Sequence, residues 1–380
     1  MKDSMKNQHE ETIGVVHYHT GHFPPTDINW SELVSFIGKA NGAVARYDGL
    51  LKAIPNPTVL LSPLMTNEAV LSSRIEGTQA TLNEVLTYEA QEKDRLSPQS
   101  PKDADMQEIS NYRQAMRFAE QKLEELPLSQ RLIKDAHEIL LSGVRGQNKA
   151  PGKYRNIPNW IGPVGCVMDD ARYVPPDANT LPDSMSVWEK YIHTEERDPL
   201  VQLAVIHAEF EALHPFLDGN GRLGRMIIPL FLYQVRILQR PAFYISAYLE
   251  AHRNIYYEKL LAVSRDNDWM GWCRFFLEAI QIQSEDNFNK ATKILDLYNE
   301  MKLRLAKATE SKYAIHTLEW IFGNPVFSMS TFIQRTKIPR STATRIVQRL
   351  ADDGTLSQIR AASGRSPAIM AFDALLNTVA

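Results

Sequence analysis

Residues 214–225 read HPFLDGNGRLGR. They follow directly on the apolar run LVQLAVIHAEFEALH at 200–214, and helical spacing of apolar residues resumes from 223. A junction between two apolar helices that holds a histidine, an aspartate, an asparagine, three glycines and two arginines predicts a mainly α fold built around a polar loop. Its chemistry suits a polyphosphate. Gly219, Gly221 and Gly224 leave the backbone free to turn successive amides toward one anion at the start of a helix, where the dipole also favours negative charge. Asp218 supplies a hard oxygen for Mg²⁺, Asn220 a neutral donor, and Arg222 with Arg225 two guanidinium forks for distal phosphates. His214 is the one side chain of the loop that takes up a proton near neutrality. On these residues alone, a plain helix-to-helix turn with solvated arginines remains open.

Just upstream, His207, Glu211 and His214 share one helical face, which raises a rival reading as a metal site. That reading leaves the glycines and arginines after His214 without a purpose. We therefore take His207 as a packed core histidine and Glu211 as a solvated surface charge.

With 380 residues, 44% of them hydrophobic and 23% charged, the chain has room for two or three domains. A net charge of −3 gives no global attraction to nucleic acid or membrane, so any such partner needs a local patch. Cys166 and Cys273 are too few for a disulfide framework. No run reaches the ~20 apolar residues of a membrane helix, and the first residues lack the apolar core of a signal peptide. The expected setting is the cytoplasm, with no membrane contact.

Helical periodicity covers residues 30–53, 64–90, about 107–125, 129–144, 183–194 and 198–213, then runs almost continuously from 223 to about 308. The proline-bearing polar segment 95–106 reads as a loop, and two short apolar runs within 152–177 read as a small β-hairpin. From Ser311 the character changes: helix candidates at 313–322, 329–336 and 340–353 precede two short strand candidates, the outline of a winged helix-turn-helix. Residues 311–380 carry eight Lys and Arg against four Asp and Glu, whereas the whole chain is negative. The third helix exposes Arg340, Ser341, Thr342, Thr344 and Arg345, with Arg360 and Arg365 on the wing; Arg340, Thr342 and Arg345 are the candidate DNA contacts. The same module also suits protein docking or self-association as a homodimer.

HPFLDGNGR resembles the HPF-x-[DE]-GN-x-R signature of Fic-domain proteins, with every signature position filled. The resemblance implies a protein adenylyltransferase that moves AMP from ATP to a Ser, Thr or Tyr hydroxyl of a target protein. It implies that His214 deprotonates the hydroxyl, Asp218 holds Mg²⁺, and Asn220 with the Gly219 and Gly221 amides binds the α- and β-phosphates. Arg222 and Arg225 take the β- and γ-phosphates, and Phe216 anchors the loop in the core. Ser72, Glu76 and Gly77 are similar to the family's inhibitory [ST]-x-x-x-E-[GN] pattern, which would set Glu76 against Arg225. By the same likeness the hairpin is a flap that docks the target segment. Tyr257 falls where relatives stack a tyrosine near adenine, but Ser264 stands where some carry an asparagine, which puts the choice of nucleotide in doubt.

The expected organisation is an N-terminal helical region with the inhibitory motif (1–106), a Fic core (107–285), a connecting helix (286–310) and a winged helix (311–380). Two other functions stay in view: a DNA-binding regulator whose site senses nucleotide, and a hydrolase in which Glu76 orients a water that removes AMP.

Overall fold

The computed structural model describes residues 14–91, 101–144, 146–364 and 366–379. The polar start, the first part of the expected loop at 95–106 and Arg365 lie outside them.

The chain opens with β1 (Val16–His17), α1 (Trp30–Ala53), α2 (Pro57–Leu60), α3 (Ser62–Ile75), α4 (Leu82–Gln91), α5 (Pro101–Lys122) and α6 (Gln130–Leu140). An irregular stretch leads to β2 (Tyr173–Val174), α7 (Leu181–Ile192), α8 (Pro199–Leu213) and α9 (Asn220–Gln234). Next come α10 (Ser246–Ala251), α11 (Arg253–Asp266) and α12 (Trp269–Thr309). The C-terminal portion is α13 (Ala314–Gly323), β3 (Val326–Ser328), α14 (Met329–Thr336), α15 (Arg340–Asp352), β4 (Ser357–Arg360), β5 (Ile369–Ala371) and α16 (Asp373–Val379).

The architecture is mainly α, with helices packed around α8. Asp198 starts α8, its Oδ1 accepting from the amides of Leu200 and Val201, and every residue from Leu200 to Leu213 except Glu211 is buried. A helix apolar on all sides needs neighbours on all sides, and α1, α7, α9, α11 and α12 provide them.

Two expected long helices are broken. The 64–90 helix stops at Glu76 because Gly77 takes a left-handed φ of +102°, and Thr81 with Glu84 restarts it in a capping box: the Thr81 amide donates to Glu84 Oε2 at 2.9 Å. The run from 223 is interrupted by the loop 235–245 and by turns at His252 and Asn267–Asp268. The expected loop at 95–106 is helical from Pro101, where a proline at the first helical position and Asp103 in the first turn favour an N-terminus.

The expected hairpin is reduced to one antiparallel bridge, Ile161 to Tyr173, joined by an irregular loop. The remainder of β2 pairs in parallel with β1, Val16 opposite Tyr173 and His17 opposite Val174. Among the described residues of the C-terminal portion, three strands in the order β3-β5-β4, all antiparallel, make a sheet beside α13, α14 and α15, a winged helix as expected. β3 and α16 had no counterpart in the sequence expectation. They face inward: α4 packs on β3, α13 on α2 and α3, and α16 on α3, where Asn67 Nδ2 donates to the Val379 carbonyl at 3.2 Å. One continuous apolar core runs from Leu33 to Val379.

Candidate functional site

His214 ends α8 in the left-handed region, φ +45° and ψ +59°, an uncommon conformation for a non-glycine residue. Arg155 holds it there. This buried guanidinium donates from Nε to the His214 carbonyl at 3.0 Å and from Nη2 to the Pro176 carbonyl at 2.6 Å, while the Arg155 amide donates to the Pro215 carbonyl at 2.9 Å. Replacing Arg155 with Ala leaves those buried carbonyls without their charged donor. The expected cost is roughly 3 kcal/mol, read as a lower midpoint of thermal unfolding by circular dichroism.

The loop is tied to the core by Phe216, which is fully buried and stacks on His137 with ring centroids 3.9 Å apart. The Gly152 amide donates to His137 Nδ1 at 2.8 Å, so Nε2 carries the hydrogen and donates to the Asp218 carbonyl at 3.0 Å. Burial pushes His137 down to about 4, which keeps that neutral tautomer. Asn220 differs from expectation: Oδ1 accepts from the Phe216 amide and Nδ2 donates to the Phe216 carbonyl, both at 2.8 Å. Its side chain closes the loop on itself. Gly219 then takes φ +79° to start α9, and the first amides of a helix have no partner within it.

Both arginines are buried. Arg222 Nη1 reaches Glu108 at 3.0 Å and Nη2 reaches Asp218 Oδ1 at 3.3 Å. Arg225 Nε donates to Ser72 Oγ at 2.8 Å, and Nη2 donates to the Ser72 carbonyl at 2.8 Å and to Glu76 Oε1 at 2.6 Å. Ser72 and Glu76, one turn apart on α3 and its cap, thus meet Arg225 across a separation of about 150 residues. Burial works to raise Glu76, but Arg225, helped by Arg222 and His214, holds its carboxyl below the usual range. The Glu76 side chain keeps 33% of its surface exposed, against 1% for Arg225.

Glu211 is not a solvated surface charge. Burial pushes its carboxyl up to about 7, with Arg225 opposing and Glu76 adding to the rise, and its Oε1 has no hydrogen-bond partner among the described residues. The glycines of α9 make room for these two carboxylates: a Cβ on Gly221 would stand 2.2 Å from Glu76 Oε1, and one on Gly224 2.2 Å from Glu211 Oε1. His207 is the core histidine expected, Nδ1 against the Gly224 carbonyl at 3.0 Å and Nε2 against Tyr256 Oη at 2.9 Å, so both nitrogens already have protein partners.

His214 itself is pushed down to about 4 by burial, with Glu76 pulling it up and Arg155 pushing it further down, and its Nδ1 has no partner among the described residues. Tyr257 is half-buried beside Glu76 and Arg225, whose charges act on its hydroxyl, and the Arg253 guanidinium lies 5.9 Å from its ring centroid. Asp218 has 30% of its side chain exposed, with Oδ1 toward Arg222. Among the described residues no three His, Cys, Asp or Glu side chains gather in a group that could hold a metal ion. The remaining expected residues lie elsewhere: Ser264 accepts no place at the loop and instead meets His19 Nδ1 at 2.8 Å, while Arg340, Thr342 and Arg345 are on α15.

Sequence reasoning missed Arg155, Glu108 and His137. Each acts through a contact between residues about 60 to 115 positions apart, and no local spacing announces such a pairing.

Fold and site define a mainly α-helical protein in which one loop brings together a histidine in left-handed conformation, the start of a helix and two buried arginines. Two family models match, the Fic/DOC family N-terminal region over residues 34–121 and the Fic/DOC family over 127–232. The chain belongs to the Fic/DOC family. A probable protein adenylyltransferase of Aquifex aeolicus is 32% identical over 102 residues, 25% of this chain and 32% of that protein. The protein adenylyltransferase Fic of Culex quinquefasciatus is 27% identical over 137 residues, 34% of this chain and 23% of that protein. The chain thus spans a third or less of the length of these curated relatives. A Fic family protein from Desulfovibrio desulfuricans shares the fold, with a TM-score of 0.58 at 20% identity over 92% of this chain and 98% of that one. No helix among the described residues is long and apolar enough to cross a membrane.

Proposed function

We propose that this chain transfers AMP from ATP to a Ser, Thr or Tyr hydroxyl of a target protein, restrained by Glu76. The observation that carries the reading is the Arg225–Glu76 contact: a fully buried guanidinium whose strongest partner is a half-open carboxylate on another element, which an incoming phosphate can replace. The named activity of the relatives agrees with it.

In this reading the target oxygen attacks the α-phosphorus, its proton passes to the neutral His214 imidazole, and the bond to the β-phosphate oxygen breaks with its electron pair leaving on pyrophosphate. The α9 amides and Arg222 and Arg225 stabilise the charge that gathers on the departing group. Asn220, with its side chain closing the loop, shapes the cradle for phosphate. Tyr257 borders the nucleotide's base. Asp218 is the residue to hold Mg²⁺, which when bound supplies Lewis-acid neutralisation of phosphate charge. The test is a mass-spectrometric search for an AMP-sized adduct on a Ser, Thr or Tyr after the Glu76→Gly variant is incubated with ATP and Mg²⁺. Absence of any adduct, with nucleotide shown to bind, removes the transferase reading.

A second reading, DNA binding by the winged helix, is favoured by α15. Its outer face carries Arg340, Ser341, Thr344, Arg345, Gln348 and Arg349 along one open surface hollow, while Ala343, Ile346, Val347 and Leu350 are buried. Thr342 is half-buried at the edge of that face. A gel-shift titration should show duplex DNA affinity that falls with salt by about 0.9 log units per log unit of salt for each phosphate contacted. Replacing Arg340 and Arg345 with Ala should flatten that slope by about two contacts; an unchanged slope assigns α15 to another partner.

A further inference from the structure

The flap carries more than a place to dock. Residues 156–168, NIPNWIGPVGCVM, contain no charged side chain in a chain of which 23% is charged. They nevertheless lie on the surface: Ile157 is 52% exposed, Trp160 and Ile161 39%, Val167 59%, and Val164 fully exposed. Exposed branched and aromatic side chains concentrated in one short segment mark a binding surface, whereas scattered ones do not.

The segment is built to stay in place. Trp160 Nε1 donates to the Cys166 carbonyl at 2.9 Å, the Cys166 amide to Pro163 at 3.1 Å, and the Asp170 amide to Val167 at 3.1 Å. Its inner end is continuous with the candidate site, since Arg155 bonds His214 and Pro215, and Asn159 Nδ2 donates to the Phe216 carbonyl at 3.4 Å. Of the flap's two edges one is already taken. β1 covers β2, and behind it Tyr18 Oη and His19 Nε2 hold the buried Glu209 at 2.7 and 2.9 Å. On the other edge, residues 156–160 make no backbone-to-backbone hydrogen bond among the described residues. An open edge of this kind accepts an added strand, with main-chain bonds giving affinity and alternate side chains giving selection.

We propose that the flap selects an extended, uncharged target segment with bulky apolar side chains flanking the modified hydroxyl, seated on the 156–160 edge against Ile157, Trp160 and Val164. A charged flanking side chain would lose water against Ile157, Trp160 and Val164, with no opposite charge among residues 156–168 to meet it. This selection deepens, and rests on, the transferase reading above.

The test uses fluorescein-labelled ten-residue peptides with a central Thr flanked by Ile and Val, by Lys, or by Asp, titrated by anisotropy into the full chain carrying Glu76→Gly. The apolar peptide should bind at least tenfold more tightly than either charged one. Ile157→Ser with Val164→Ser, both on the surface and checked for an unchanged melting temperature, should bring the three affinities together. Equal affinities in the parent, or a preference that survives the double substitution, overturns the proposal. Labelled ATP added to the same samples separates the two readings: apolar-selective binding without AMP transfer upholds flap selection and sinks the transferase, and transfer without flanking preference does the reverse.

Discussion

Replacing Glu76 with Gly is expected to raise auto-modification with labelled ATP by roughly tenfold to a hundredfold. A charge-assisted hydrogen bond contributes about 1.5–3 kcal/mol, and that is the competition the γ-phosphate escapes when the carboxylate on Arg225 is removed. The substitution should leave the fold intact, because Glu76 caps α3 at an ordinary φ of −86° and is partly exposed. Arg225 stays aimed, since Ser72 still accepts from Nε and Nη2. α3 is clamped by α5, α10, α13 and α16, so the expected gain comes from this one side chain and the turn after it, with the helix in place. An unchanged level of auto-modification would remove the inhibitory role. If instead the parent strips AMP from a modified target and the variant does not, Glu76 orients a water and the site runs in reverse.

Replacing His214 with Ala in the Glu76→Gly background should lower the transfer rate by about 10²–10⁴-fold, the range for loss of a general base, while calorimetric ATP affinity stays near that of the parent. The groups proposed to hold phosphate, the α9 amides and the two arginines, do not depend on the imidazole. What fixes the loop in their stead is the Arg155 contact to the His214 carbonyl, which alanine retains. The pH profile of kcat/KM adds a sign. Burial holds the free imidazole at about 4, so it is already unprotonated throughout the neutral range, and kcat/KM reports that free-enzyme group. The acid limb should therefore lie below the 6.5 of an ordinary histidine and vanish in the alanine variant. Loss of nucleotide binding along with the rate would argue that His214 shapes the cradle and is not its base.

Much of this molecule is legible along the chain because the relevant spacings are short. Three-and-four periodicity marks the helices, HPFLDGNGRLGR places a histidine, a carboxylate and two arginines within one helix junction, and the Ser72 and Glu76 spacing puts both on one helical face. Where periodicity is the only guide, breaks are missed: the apolar pattern across 64–90 and 223–308 continues through turns at which Gly77 and Asn267 take left-handed φ. β1 and β3 escaped for a related reason, being strands of two and three residues whose partners lie far along the chain.

The sequence by itself determined the helical class, the loop and the kinds of group it carries. Only the tertiary structure decided their states: that Asn220 closes the loop, that Glu211 packs against α9, that Glu108 and Arg155 belong to the site, and that β1 leaves the flap a single open edge. Periodicity reports which way a side chain points on its own element. Protonation, hydrogen-bond partners and free edges depend on what the rest of the chain brings alongside, through contacts between residues as much as 312 positions apart, and no local pattern encodes those.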